Sequence, residues 1–377
     1  ITSCKNNDEF MRAIGEAIEK RLPSIPNKPT VKAIHNKLLS PASEDELVYN
    51  IVSSDEKAND NYWANKGINT TRGALLETYV CFQYESNQLS SECVLELLRA
   101  ISTNATIAVR SCLINVLPYV FRDNPQEGLK LFKDAVGDRW SLLDEGVTFN
   151  VLLQIARRDP VFVETYIRIM MGRPQERTRQ RAGELAAFCA LLHQGESRVT
   201  YSKIVSKGYQ KVIKGAVKTL RLNVSYPACR EFCFDELLAI SAHNDKDIKK
   251  EIGKVFYHLG APIGATKDFI DSLTGRLGEF EAEVSVCEYA LNQCKLYPET
   301  AIELVGEAFR SIGDKSEGQV YGYGSYFGAI NDIVSVAANV AGVVEDKVLA
   351  ERGLRLLELV QRHEVPQAEK AFYEFDR

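Results

Sequence analysis

Almost every patterned segment of this 377-residue chain carries apolar residues three and four positions apart, and no stretch alternates apolar with polar residues as a half-buried strand would. That periodicity restricts the chain to all-α folds. Twenty helical segments can be drawn from it, beginning at 8–21, 29–39, 43–54 and 69–85 and ending at 326–342, 345–362 and 366–374, with short breaks between them. Asn124-Pro125 and Asp159-Pro160 stand where helices should begin, and Gly195 and Gly260 stand where helices should end. So many short helices leave two architectures, a globular bundle or a stacked α-solenoid, and internal repetition separates them.

The repetition starts at "GINTTRGALLETYVCF", residues 67–82. Setting its Arg72 on Arg110 of "NATIAVRSCLINVLPYVF" pairs Leu75 with Leu113, Tyr79 with Leu117 and Phe82 with Val120. The offset is 38 residues, close to the period of about 40 residues found in HEAT-type helical pairs. An amphipathic helix follows each copy, "SECVLELLRAIS" and "PQEGLKLFKDAV". A third copy, "RTRQRAGELAAFCALL", fits loosely, because Glu184 follows Arg181 where the first two copies have leucine. The expected fold is therefore an α-solenoid of stacked helical pairs, HEAT/TPR-like. Residues 1–60 form a helical segment leading into the array, 61–195 the HEAT-like repeats, and 196–377 less regular repeats with a Gly/Tyr-rich loop at 317–328.

Composition narrows the class further. At 45% hydrophobic and 26% charged, with 12 prolines, the chain reads as globular rather than disordered. Neither a run of about 20 apolar residues nor a signal-peptide pattern is present, so a cytoplasmic protein without membrane contact is expected. Most of the nine cysteines sit in apolar helical segments, and none forms a CxxC pair. They read as reduced packing residues; Cys229 and Cys233 share a helical spacing but lack a histidine at zinc-ligand spacing. The net charge of -5 disfavours nucleic acid as a partner overall.

Sequence motifs for chemistry are missing. The chain holds no GxxxxGK[ST] loop, no GxGxxG, no HExxH and no GxSxG, and His35, His193, His243, His258 and His363 are scattered. Binding without catalysis and without a cofactor or metal in this segment is the expectation. Arg72 and Arg110 are then framework residues, each placed to reach a carboxylate or carbonyl of the next repeat through a guanidinium with five donors.

Two stretches stand out as contact surfaces. Tyr321, Tyr323, Tyr326 and Phe327, spaced by glycines, are either an aromatic binding loop or a small satellite core folded under it. The second stretch is a basic island: between 171 and 221 lie eleven lysines and arginines, among them Arg177, Arg179, Lys211, Lys214 and Lys218, against Glu176, Glu184 and Glu196. The three lysines lie opposite Ile213, Val217 and Leu220 on a helix, which makes them a solvated face, a dock for an acidic protein or a track for phosphates.

"YWANKGINTTRGALLETYV", "NATIAVRSCLINVLPYVFRDNPQEGLKLF" and "VFVETYIRIMMGRPQERTRQRAGELAAFCALL" together resemble the C-terminal helical sensor region of bacterial antiviral STAND NTPases, the Avs proteins. The likeness lies in Trp63 and Asn69-x-x-Arg72-Gly73-Ala74 opening one repeat, Ala108-Val109-Arg110 opening the next, and an alanine-rich helix from Gly183 to Leu192. It covers about residues 60 to 195. The resemblance implies a sensor that binds a phage protein, such as the large terminase subunit or the portal, and so triggers oligomerisation of the full-length protein. An effector and a nucleotide-binding module would lie upstream, which agrees with a first residue that is Ile rather than Met. A general HEAT-like scaffold or a nucleic-acid-binding helical array is the competing reading.

Overall fold

The structure, a computed structural model, describes residues 28–40, 60–260, 266–277, 283–316, 327–343 and 345–362. All regular structure among the described residues is helical. The chain divides into two compact units, Ile1–Leu185 with Gly195–Ser197, and Ala186–Gln194 with Arg198–Arg377. The candidate helices at 8–21, 43–54 and 366–374 lie outside the described residues.

The first unit contains α1 (Lys28–Leu39), α2 (Tyr62–Ile68), α3 (Thr71–Glu85), α4 (Glu92–Asn104), α5 (Ile107–Asp123), α6 (Pro125–Val136), a 3-10 turn (Trp140–Asp144), α7 (Gly146–Ala156) and α8 (Pro160–Met171). Helix α9 (Glu176–Leu192) contains the point of division. Within this unit α5 packs against both α3 and α7, α4 packs against α6, and consecutive helices α4–α5, α5–α6 and α7–α8 pack on each other. The 38-residue offset is visible in this packing. Equivalent positions of α3 and α5 face one another, and Asn115 Nδ2 donates to Glu77 Oε1 at 2.9 Å across that same offset. Leu75, Leu113, Tyr79, Leu117 and Val120 are all buried, while Phe82 is half-buried.

The expected turn chemistry is present where α6 and α8 begin. Asn124 accepts from the Glu127 N–H and Asp159 from the Phe162 N–H, with a proline at the first helical turn in each case. Gly195 has φ +79°, a left-handed conformation that favours glycine.

Arg110 bridges in the opposite direction from the one expected. Its Nε donates to Ala105 O at 2.9 Å and its Nη2 to Thr103 O, so it satisfies carbonyls at the end of the preceding helix, α4. The same device recurs in the second unit. Arg230, early in α12 (Pro227–Ser241), donates to Val224 O and Ser225 O, each at 3.1 Å, just past the end of α11 (Gln210–Asn223). Arg72 itself is 6% exposed in the first turn of α3.

Helix α2 has no counterpart among the helices drawn from the sequence, where 43–54 is followed directly by 69–85, and its stability is tertiary. Its first turn meets the first turn of α7 end to end, and each helix is capped by the residue that precedes the other. Glu145 Oε2 accepts from the Ala64 N–H at 3.2 Å, Asn61 Oδ1 accepts from the Val147 N–H at 3.1 Å, and Asp60 O accepts from the Gly146 N–H at 2.7 Å. Two positive helix ends in contact would repel, so the carboxylates of Asp60 and Asp144 gathered there offset both dipoles. Gly146 permits the approach, since a Cβ there would lie 2.8 Å from Asn61 Oδ1.

Glu145 is 2% exposed. Burial pushes its carboxyl up to about 7, against the pull of the Trp63 and Ala64 N–H groups, and Asp60 and Asp144 add to the rise. The unfolded chain releases this proton at the ordinary glutamate pKa, near 4.5, and the folded chain only near 7. Between those values the folded state binds more protons, so this residue's contribution to stability falls as pH rises through the window. Glu145→Gln keeps an oxygen for the Ala64 N–H and should remove that slope. Relative to wild type it should gain up to about 3 kcal/mol between pH 5 and pH 8, read from denaturant melts at the two pH values. An unchanged difference would show that Glu145 does not titrate in this way.

The second unit contains most of α10 (Glu196–Val205), then α11, α12, α13 (Lys246–Gly253), a 3-10 turn (Lys254–His258), α14 (Lys267–Leu277), α15 (Glu283–Gln293), α16 (Pro298–Ser316), α17 (Phe327–Val343) and α18 (Lys347–Gln361). Next-but-one packing recurs here, from α11 to α13 to α15 to α17, with α12 on α14 and α16 on α18. Consecutive helices α11–α12, α15–α16 and α17–α18 also pack on each other. The backbones of α17 and α18 approach closely at Gly353, where a Cβ would lie 2.7 Å from Ala337 O.

Candidate functional site

A concavity lies in the first unit, where the ends of α5 and α7 meet the start of α6. It is a cleft of about 450 Å³. Pro118, Phe121, Leu129 and Ile155 supply its apolar surface, and Arg122, Arg157 and Arg158 stand around it. Local sequence explains the shape. The Asn124-Pro125 turn ends α5 and starts α6 with Pro125 and Gln126 on the cleft wall. Gly128 lets the Phe121 ring pack closely against α6, because a Cβ there would come within 2.6 Å of the ring.

The arginines are held in different ways. Arg158 Nη1 donates to Phe121 O at 2.7 Å and so ties the end of α7 to the end of α5. The Arg122 guanidinium sits 5.5 Å from the centre of the Tyr84 ring, a cation–π distance. All three side chains are exposed. Asp159 is the one carboxylate among the lining residues, and its Oδ1 is occupied by the Phe162 N–H at 2.9 Å. A concave apolar surface edged by guanidinium groups can seat an apolar side chain and hold carboxylates beside it.

Part of the basic island is committed to internal pairs. Arg177 Nη2 lies 2.7 Å from Asp60 Oδ2, and Arg181 closes on the other Asp60 oxygen while donating to Asp144 O at 2.9 Å. Arg173 grips both Asp144 oxygens, and Thr178 donates to Asp144 Oδ1 at 2.7 Å. Arg179 is half-buried. Arg173, Arg177, Thr178 and Arg181 brace the paired ends of α2 and α7.

In the second unit one lysine of the stripe meets an acid of α13. Lys211, Lys214 and Lys218 are each half-buried, and Lys214 Nζ lies 4.0 Å from Asp247. Gln210 donates to Asp245 at 2.6 Å, and Arg221 pairs with the buried Glu251 at 2.8 Å. Burial works against the charge of Glu251, but Lys254 and Arg221 outweigh it and hold the carboxyl below its usual value. Ile213, Val217 and Leu220 are buried, as their helical spacing required. At Lys214 the stripe is therefore partly an intramolecular contact.

Tyr321, Tyr323 and Tyr326 lie outside the described residues, and Phe327 is described only as the first residue of α17. A second cleft, about 250 Å³, includes His258, Ser285, Glu288 and Asn292. His258 Nε2 lies 2.7 Å from Arg221 Nη1; burial and that guanidinium lower its pKa. Among the described residues, no group of three or more His, Cys, Asp or Glu is placed to hold a metal ion, and no helix is long and apolar enough to cross a membrane. Cys233 is buried, and burial pushes its thiol up to about 12, which suits a packing residue.

No protein-family model matches the chain, and no curated protein matches it.

Proposed function

We propose that this chain is an α-solenoid recognition domain of the HEAT/TPR-like kind, serving as the target sensor of an antiphage STAND NTPase. The observation that carries the reading is the order of packing within each unit. Each of the helices α5, α13 and α15 packs on helices two positions away, while consecutive helices pair beside them. Stacked helical pairs produce this succession, because one pair cannot bury its apolar face without the next. The hydrogen bond between the equivalent positions Glu77 and Asn115 supports the same reading, as does the resemblance over about residues 60 to 195.

On this reading the segment binds and does not catalyse. Its partner is a phage protein, the large terminase subunit or the portal, whose shape is matched over many residues. Capture then drives oligomerisation of the full-length protein and activates an effector encoded upstream. The tyrosine loop at 317–328 is assigned to the contact. Tyr321→Ala, Tyr323→Ala and Tyr326→Ala combined should weaken pull-down of the phage partner at least tenfold while the helical circular dichroism stays unchanged. Equal capture by the triple variant would remove the loop from the contact.

A further inference from the structure

The cleft between α5, α6 and α7 has a composition at odds with the chain around it. The whole protein carries a net charge of -5, yet three arginines surround this concavity and its one lining carboxylate is already bonded to a backbone N–H. We propose that the cleft binds an acidic segment of a partner protein, with an apolar side chain seated against Phe121, Leu129 and Ile155 and flanking carboxylates on Arg122 and Arg157.

Geometry and charge favour that occupant together. The volume of about 450 Å³ falls within the range of about 300–1,000 Å³ typical of ligand sites, enough for more than one side chain. Guanidinium groups pair with carboxylates through two parallel hydrogen bonds. Arg122, Arg157 and Arg158 are all exposed at the rim, and Arg158 also donates to Phe121 O, which shapes the wall. A nucleic-acid backbone would call for a basic track along the surface rather than a short, apolar-floored hollow.

This inference rests on the recognition reading, and its test separates the two. The probe is a fluorescein-labelled peptide with the core Glu-Glu-Leu-Phe-Glu-Glu, titrated with the whole chain at low salt and followed by anisotropy. Saturable binding is expected. Arg122→Glu combined with Arg157→Glu should weaken it at least tenfold, and Leu129→Asp several-fold, with the circular dichroism of each variant unchanged. Should the double variant fail to fold, Arg157→Gln alone, at an exposed position, should still weaken binding about threefold, the effect of losing one rim-exposed charged pair. Three results overturn the proposal: no saturable binding, binding indifferent to the charge reversal, or displacement by a single-stranded DNA oligonucleotide as effective as by unlabelled peptide. If the peptide fails but the chain still captures a phage protein, the cleft assignment falls and the recognition reading stands. If the peptide binds through the cleft but neither phage protein is captured, the phage assignment falls and the cleft stands.

Discussion

Gly73→Ala should lower the melting temperature of the first unit by on the order of 10 °C, although alanine is the better helix former. Helix propensity alone would favour the substitution by about 1 kcal/mol. Packing opposes it. A Cβ on Gly73 would lie 2.1 Å from Gly67 O and 2.6 Å from Gly67 C, and neither backbone atom can rotate away. Gly67 cannot retreat either, since its own Cα faces α5 so closely that a Cβ there would lie 2.3 Å from Ala108 O. The Gly67 carbonyl also accepts from the Thr70 N–H at 2.9 Å and from Thr70 Oγ1–H at 2.7 Å, and the Gly73 N–H donates to Thr70 Oγ1 at 3.0 Å. Displacing the carbonyl would disturb all three bonds, placing the cost near or above the upper end of the roughly 1–3 kcal/mol typical of overpacking. Trp63 and Trp140, the two tryptophans of the chain, both lie in this unit, so intrinsic fluorescence reports its unfolding. A melting temperature that rises would mean propensity decides and the close packing of α2, α3 and α5 is misread.

Asp60→Ala should cost about 2–3 kcal/mol, slightly under the 3–5 kcal/mol expected when one partner of a fully buried ion pair is removed, because the Asp60 side chain is 28% exposed. Its carboxylate receives both Arg177 and Arg181, and the Arg181 side chain is only 7% exposed. Without Asp60, Arg181 keeps the Asp144 carbonyl and the Phe149 ring, whose centre is 5.3 Å away, but loses its counter-charge. Arg181→Met in the Asp60→Ala background should recover much of the loss, since an unpaired buried cation is what destabilises the single variant. Denaturant melts of the double-mutant cycle measure this. A loss below about 0.5 kcal/mol for Asp60→Ala, the range of an ordinary surface substitution, would show that the network contributes little.

Helices came through in the sequence wherever the information was local. The apolar spacing of Ile213, Val217 and Leu220 put them inside, and Asn124-Pro125 and Asp159-Pro160 mark helix starts through caps three residues away. The 38-residue offset was legible because Leu75 and Leu113 fill equivalent buried positions in adjacent helices. Helix α2 was not legible, since seven residues do not establish a period and one of its caps comes from Glu145, 81 residues further along the chain. The internal partners of the basic island were not legible for a related reason. Counting charges from 171 to 221 cannot see Asp60, Asp144, Asp247 or Glu251, which approach from other elements and pair with its side chains. The cleft was missed as well. Its only trace in the sequence is Arg157-Arg158 beside a turn, while Arg122 and the apolar floor are contributed by α5 and α6.

The direct test of the recognition account is a titration of the purified chain against purified large terminase subunits and portal proteins from a panel of phages, read by calorimetry with size-exclusion light scattering. The account requires a stoichiometric, saturable complex with at least one of the two classes, weakened by the triple tyrosine variant. No complex with any member of either class, from a chain whose melting confirms that it is folded, would contradict it.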